Sequence, residues 1–159
     1  MSRVLFVCLG NICRSPTAHG VFEAKVQQHG LGDRVTVDSC GTGDWHIGHP
    51  PDRRAAAEAA SRGYPIDHLR ARQVTVADFR RFDYVLAMDH QNLADLRAMC
   101  PVDFSGHLGL FLPFAASNPV DEVPDPYYGG DEGFAHVFDL VEAASDGLLQ
   151  DIERGLASR

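Results

Sequence analysis

Four stretches of the chain carry apolar residues too densely, over too few positions, to be helices. Val4 to Val7 (VLFV) is unbroken and closes on Cys8, and Tyr84 to Met88 (YVLAM) is nearly continuous. Arg34 to Ser39 (RVTVDS) alternates β-branched with polar residues, and His107 to Leu112 is the fourth stretch. Such runs predict strands, the continuous ones buried on both faces. Between them, Thr17 to His29, Arg53 to Arg62 and His90 to Met99 read as helices, Asp78 to Phe82 as a helical turn, and Glu132 to Leu156 as a long helix with apolar residues at helical spacing. Gly30 and Gly32 mark a turn after the first helix, Gly63 closes the second, and Pro101 stops the helix that ends at Met99. Two loops remain, Gly41 to Asp52 (GTGDWHIGHPPD) and Asn118 to Gly130. Strands alternating with helices predict an α/β fold: a four-stranded parallel sheet with helices on both faces and right-handed crossovers. With no repeat, low-complexity tract or linker, residues 1–159 read as a single domain, with Phe134, Phe138, Leu148 and Leu149 in its core.

Composition narrows the classes of function. A chain of 159 residues, 45% hydrophobic and 23% charged, has room for one real core. No apolar stretch approaches the roughly 20 residues of a membrane span. The N-terminus lacks the basic region, long apolar run and cleavage site of a secretory signal, so a cytoplasmic location is expected. The net charge of −8, from 14 basic and 22 acidic side chains, excludes a broad nucleic-acid surface but not one phosphate in a deep pocket. Four cysteines, Cys8, Cys13, Cys40 and Cys100, are too few for a disulfide framework and are expected to be thiols in a reducing compartment. Cys8 and Cys13 have the spacing of half a metal site, but no second ligand pair stands at zinc spacing elsewhere, so neither metal nor other cofactor is expected.

The chemistry concentrates where the first strand ends. VLFVCLGNICRSP places Cys8 at the strand mouth, a small-residue loop after it, and Arg14, Ser15 and Pro16 where a helix begins. A loop of this kind turns successive backbone N–H groups inward, and the helix behind it adds the positive end of its dipole, which makes a socket for a tetrahedral anion. The same field favours a thiolate over a thiol. Arg14 brings a planar fork that grips two phosphate oxygens at once. Far along the chain, VPDPYYG holds Asp125 between Pro124 and Pro126, which stiffen the backbone and present the carboxylate rather than cap it. By the strand assignments, Cys8, Ser39 and Asp89 fall at the carboxyl ends of three strands, where parallel sheets bind ligands.

With these residues in place, the chain resembles the low-molecular-weight protein tyrosine phosphatases, whose VCLGNICRSP signature it matches residue for residue, and the resemblance runs over nearly the whole chain. It implies that Cys8 displaces the phenol of a phosphotyrosine, or of a small aryl phosphate, to form a cysteinyl phosphate. Asp125 of the DPYY motif would protonate the leaving oxygen and then serve as base for the attacking water. The amides of Leu9, Gly10, Asn11, Ile12, Cys13 and Arg14, with the Arg14 side chain, would hold the phosphate. Ser15 would donate to the Cys8 sulfur, and Asp89 would orient Arg14 or cap the following helix. Asn11, which tolerates left-handed backbone, would be tied to Ser39 of SCGTG. Trp45, Tyr127 and Tyr128 would wall the aromatic ring. In this family the second loop cysteine, here Cys13, can form a reversible disulfide with the nucleophile. A histidine three residues before the arginine of the A-R-[QRK]-[VIL]-T segment also belongs to the family's network. Here ARQVT spans Ala71 to Thr75, the histidine's place is held by Leu69, and His68 lies one position earlier and outside the expected site. The remaining histidines read as surface residues. The implied partner is a phosphotyrosine-containing protein, a bacterial tyrosine autokinase being one such class, with the enzyme a monomer or weak dimer.

Three rivals make different demands. An arsenate reductase of the same fold needs an extra redox pair, yet Tyr84 to Arg97 contains no cysteine and Cys100 stands alone. A phosphoarginine phosphatase would have threonine where this chain has the apolar Ile12, and would lack the tyrosine pair. A non-catalytic phosphate reader would have lost Cys8, Arg14 or Asp125, and all three are present.

Overall fold

The structure, a computed structural model, describes residues 1–116 and 120–157. Its elements run in the order β1 (Ser2–Cys8), α1 (Arg14–Gln28), β2 (Val35–Gly41), α2 (Arg53–Ser61), α3 (Asp78–Arg81), β3 (Tyr84–Ala87), α4 (His90–Met99), β4 (His107–Leu110), a 3-10 turn (Leu112–Phe114) and α5 (Asp131–Ala157). The four strands form one all-parallel sheet in the order β2-β1-β3-β4. This is the α/β architecture expected from the hydrophobic pattern.

Strand β1 is central, and the pleat explains its unbroken apolar run. Val4 and Phe6 point into one core with Phe22 of α1, Phe111 and Phe138 of α5, while Leu5 and Val7 point into a second core with Phe79, Leu93 and Leu96. Phe6 meets Phe22 and Phe111 edge-on, with ring centroids 5.8 Å and 4.9 Å apart. Phe134, Phe138, Leu148 and Leu149 are all buried. Among the described residues no helix is long and apolar enough to cross a membrane.

Several boundaries differ from the sequence pattern, each for a local reason. Helix α1 starts at Arg14 rather than at Thr17, so Pro16 lies inside its first turn. A proline is tolerated there because the first-turn N–H groups have no helical acceptor. Strand β4 ends at Leu110 instead of Leu112, and the chain tightens into a 3-10 turn containing Pro113, which has no N–H to extend a ladder. Strand β2 runs two residues further than expected, to Gly41, and β3 stops one residue earlier, at Ala87. Asn118 and Pro119, at the start of the expected acid-bearing loop, lie outside the described residues; from Val120 onward that segment is irregular up to α5.

The topology positions the site. From β1 the chain crosses to β2 on one side, whereas β3 lies on the other, so the loops leaving β1 and β3 part at adjacent strand ends. Their carboxyl ends border the crevice in which such sheets bind ligands.

Candidate active site

Cys8 is the last residue of β1, and the loop after it folds back over the strand end. Its carbonyls are taken from outside: Cys8 O by Thr42 N, Leu9 O by Gly43 N, Ile12 O by Asp52 N, and Cys13 O by both the amide and the hydroxyl of Thr17. Carbonyls held outward leave the loop N–H groups facing the hollow, an anion-binding nest at the N-terminus of α1. The turn passes through Asn11 in left-handed backbone at φ 55°. It lies so close to β2 that a Cβ on Gly41 would come within 2.7 Å of Leu9 O, so glycine is required there.

The Cys8 sulfur is buried and sits in a polar cup. It accepts from Asn11 N at 3.2 Å and lies 3.0 Å from Ser15 Oγ. Ser15 Oγ also accepts from Asn11 Nδ2 at 2.7 Å and stands 3.2 Å from Cys40 O. Asn11 Oδ1 in turn accepts the amide of Arg72. Arg14 has a side chain only 3% exposed. Its Nη1 donates to Asp89 Oδ2 at 2.6 Å and to Val123 O at 3.1 Å, while Nη2 faces Asp125 Oδ2 at 3.7 Å. Burial works against the Arg14 charge, but Cys8 and the bond to Asp89 outweigh it, so the guanidinium holds its proton more firmly than a free one. Asp89 also accepts from Asn92 N and so caps α4. One carboxylate thus anchors a helix and aims an arginine.

Asp125 differs in one respect from the sequence expectation. Its Oδ1 is capped, accepting the amide of Tyr127 at 3.0 Å, and Oδ2 is the oxygen facing Arg14. The flanking prolines stiffen the backbone, and the short Asx turn aims the second oxygen. A cavity of about 350 Å³ opens over the cysteine, lined by Cys8, Gly10, Arg14, Asp125 and the aromatic trio Trp45, Tyr127 and Tyr128, with Leu9, Ile12 and Cys13 completing its loop side. Trp45 is 67% and Tyr128 92% exposed, so both walls are open to a ligand ring. Cys13 lines the same cavity, and burial, reinforced by the charge of Asp52, pushes its thiol well up. All four cysteines are free thiols.

Three features escaped the sequence reading. Asn11 is bonded to Ser15 and Arg72 rather than to Ser39. Ser39 Oγ pairs instead with Nδ1 of His19, whose Nε2 reaches Glu23 at 3.6 Å. The histidine of this network therefore comes from α1, 7% exposed and one turn before Glu23, and not from the segment before Arg72. His46 lines the cavity, with its ring against Gly10 and 6.4 Å from the Tyr127 ring. Both correct the reading of the histidines as surface residues. The signal for His19 was its helical spacing with Phe22 and Val26, which places it in line with core residues; for His46 it was adjacency to Trp45. Arg72 forms the third support, its guanidinium bridging Asp38 and the buried Asp78.

Among the described residues no three His, Cys, Asp or Glu side chains are grouped to hold a metal ion. A buried sulfur ringed by donors, a fixed guanidinium and a carboxylate on the opposite wall together suit nucleophilic displacement at phosphorus.

Comparison with known proteins agrees over the full length. The family model described as low molecular weight phosphotyrosine protein phosphatase matches residues 3–158. A low molecular weight protein-tyrosine-phosphatase of Streptomyces coelicolor is 45% identical over 161 residues, covering 99% of this chain and 97% of the relative. The crystal structure of a protein tyrosine phosphatase from Entamoeba histolytica with Hepes in the active site superposes with a TM-score of 0.94 at 41% identity, covering 98% of this chain and 99% of that one. Vibrio vulnificus Wzb in complex with benzylphosphonate superposes with a TM-score of 0.81 at 26% identity, covering 94% and 98%. On this agreement of sequence and fold, the chain belongs to the low molecular weight phosphotyrosine protein phosphatase family.

Proposed function

We propose that this phosphatase works on phosphotyrosine through a covalent phosphocysteine, with Cys8, Arg14 and Asp125 as its reacting groups. One observation carries the reading: the Cys8 sulfur, the Arg14 fork and the free oxygen of Asp125 converge on one cavity walled by aromatic rings. Phosphate oxygens sit on the amides of Leu9 to Arg14 and on the guanidinium, with phosphorus over the sulfur. Cys8 attacks as the thiolate, the phosphorus–oxygen bond to the ring breaks, and Asp125 delivers a proton to the departing phenolate. Water then attacks the phosphocysteine, Asp125 takes its proton, and the sulfur leaves as a thiolate stabilised by Ser15 and Asn11 N. Asp89 supports this centre through Arg14, whereas Ser39 pairs with His19 on α1.

Trp45, Tyr127 and Tyr128 favour an aryl phosphate, because a phosphoserine side chain gives them little to stack on. The benzylphosphonate bound by Wzb is an aromatic ligand of the same shape. The macromolecular partner is a phosphotyrosine protein, and a tyrosine autokinase is the class we propose. Cys13 lines the same cavity as the nucleophile and is the thiol placed to resolve it: a peroxide would oxidise Cys8 to a sulfenic acid, and the Cys13 thiol would condense with it, releasing water and forming a disulfide. Release of inorganic phosphate from p-nitrophenyl phosphate and from a phosphotyrosine peptide at mildly acidic pH, with chelator present, tests the central reading. Turnover that survives Cys8→Ser would overturn it.

A further inference from the structure

The loop that carries Asp125 is gripped by a residue outside the reacting groups. Arg54, in the first turn of α2, donates from Nη2 to Tyr127 O at 2.9 Å and from Nη1 to Gly129 O at 3.2 Å. Its guanidinium lies 4.7 Å from the Phe134 ring centroid and 5.7 Å from that of Tyr127. The fork is itself aimed: Asp52 Oδ1 accepts from Arg54 Nε at 3.1 Å and Oδ2 from Nη2 at 3.1 Å. Asp52 is the N-cap of α2, accepting Arg54 N at 2.8 Å, and its own amide donates to Ile12 O in the phosphate loop. A continuous path of hydrogen bonds therefore runs from the loop holding the nucleophile, through Asp52 and Arg54, to the loop holding the acid.

We infer that Arg54 is a positioning residue for the general acid. The Asp125 carboxylate has one oxygen committed to Tyr127 N, so its free oxygen points where the backbone around Tyr127 directs it. Gly129 N closes the same turn onto Pro126 O. Arg54 holds that turn by two carbonyls on one planar fork, a geometry an ammonium cannot reproduce. Proton delivery to a poor leaving group depends on sub-ångström placement of the acid, whereas the amides of Leu9 to Arg14 and the Arg14 guanidinium, which hold the phosphate, make no hydrogen bond to this turn's Tyr127 and Gly129 carbonyls. Loss of the grip is therefore felt in the leaving-group dependence of the rate.

This inference rests on the reading of Asp125 as general acid, and the experiment separates the two. Values of kcat/KM are measured for wild type, Arg54→Ala, Arg54→Lys, Asp52→Asn and Asp125→Ala over aryl phosphates graded from p-nitrophenyl phosphate to phosphotyrosine. Asp125→Ala should lose about 100-fold or more on phosphotyrosine and much less on p-nitrophenyl phosphate. Arg54→Ala should show the same slope in weaker form, about tenfold on phosphotyrosine and under about twofold on p-nitrophenyl phosphate. The affinity for inorganic phosphate should be unchanged. Arg54→Lys should recover part of the loss, and Asp52→Asn, which keeps a good helix cap, should repeat the Arg54→Ala pattern more weakly. Equal losses across the series for Arg54→Ala, no loss at all, or full recovery in Arg54→Lys would each overturn the proposal while leaving Asp125 in its role. A flat series for Asp125→Ala would instead remove the general acid, and this inference with it.

Discussion

Ser15→Ala is the most informative single change, because the Ser15 hydroxyl has one proton and two claimants for it. Asn11 Nδ2 donates into Ser15 Oγ, so the hydroxyl proton must face either Cys40 O at 3.2 Å or the Cys8 sulfur at 3.0 Å. When Cys8 carries its proton, the S–H can donate to Oγ and the serine proton can go to Cys40 O. When Cys8 ionises, the serine proton turns to the sulfur. Alanine removes that charge-assisted bond from the thiolate state alone. A hydrogen bond to a charged group contributes about 1.5–3 kcal/mol. At about 1.36 kcal/mol per tenfold, losing that bond to the departing sulfur should slow breakdown of the phosphocysteine by roughly 10- to 100-fold. The assay is stopped-flow release of p-nitrophenolate from p-nitrophenyl phosphate, in which the burst reports formation of the phosphocysteine and the steady rate its breakdown. Ser15→Ala should keep a burst and lower the steady rate by about 10- to 100-fold. An unchanged steady rate in a folded variant would refute the argument.

Asp89→Asn should keep the α4 cap but remove the carboxylate facing the buried Arg14, so phosphate affinity, kcat/KM and stability to urea all fall; Asp89→Ala should cost about 1 kcal/mol more in stability through the lost cap. Burial alone would raise the Asp78 carboxyl, but the Arg72 bonds and the Thr75 amide outweigh it and hold it below the ordinary carboxylate range. Its stabilisation is therefore complete above the unfolded carboxylate pKa and is lost as pH falls through the depressed folded value, so Asp78→Asn should cost about 3 kcal/mol near neutrality and flatten the acid limb of a denaturation profile. Gly147→Ala would normally favour a helix interior by about 1 kcal/mol. Here a Cβ would overlap the carbonyl oxygen of Phe114, so the variant should instead lose at least about 3 kcal/mol, measured by thermal or urea unfolding.

The site divides by how far its bonds reach along the chain. Cys8, Asn11, Arg14 and Ser15 lie within eight consecutive residues, and the nest they form follows from a strand end, a short turn and a helix start, all marked in the local sequence. Asp125 was legible because two prolines frame it, although its Asx turn with Tyr127 was not. The bond of Asn11 to Arg72, the pairing of His19 with Ser39, and the grip of Arg54 on Tyr127 and Gly129 join residues 20 to 75 positions apart. No periodicity specifies such partners.

Hydrophobic period, turn chemistry and one contiguous loop are properties of neighbouring residues, and they already dictated an α/β sheet with an anion socket behind its first strand. Which side chains meet across that socket depends on strand order, register and the path of each crossover, and these are settled only when two cores close on the faces of β1. Gly147 is the plainest case: its neighbours along the helix invite alanine, and the Phe114 carbonyl packed against it forbids one.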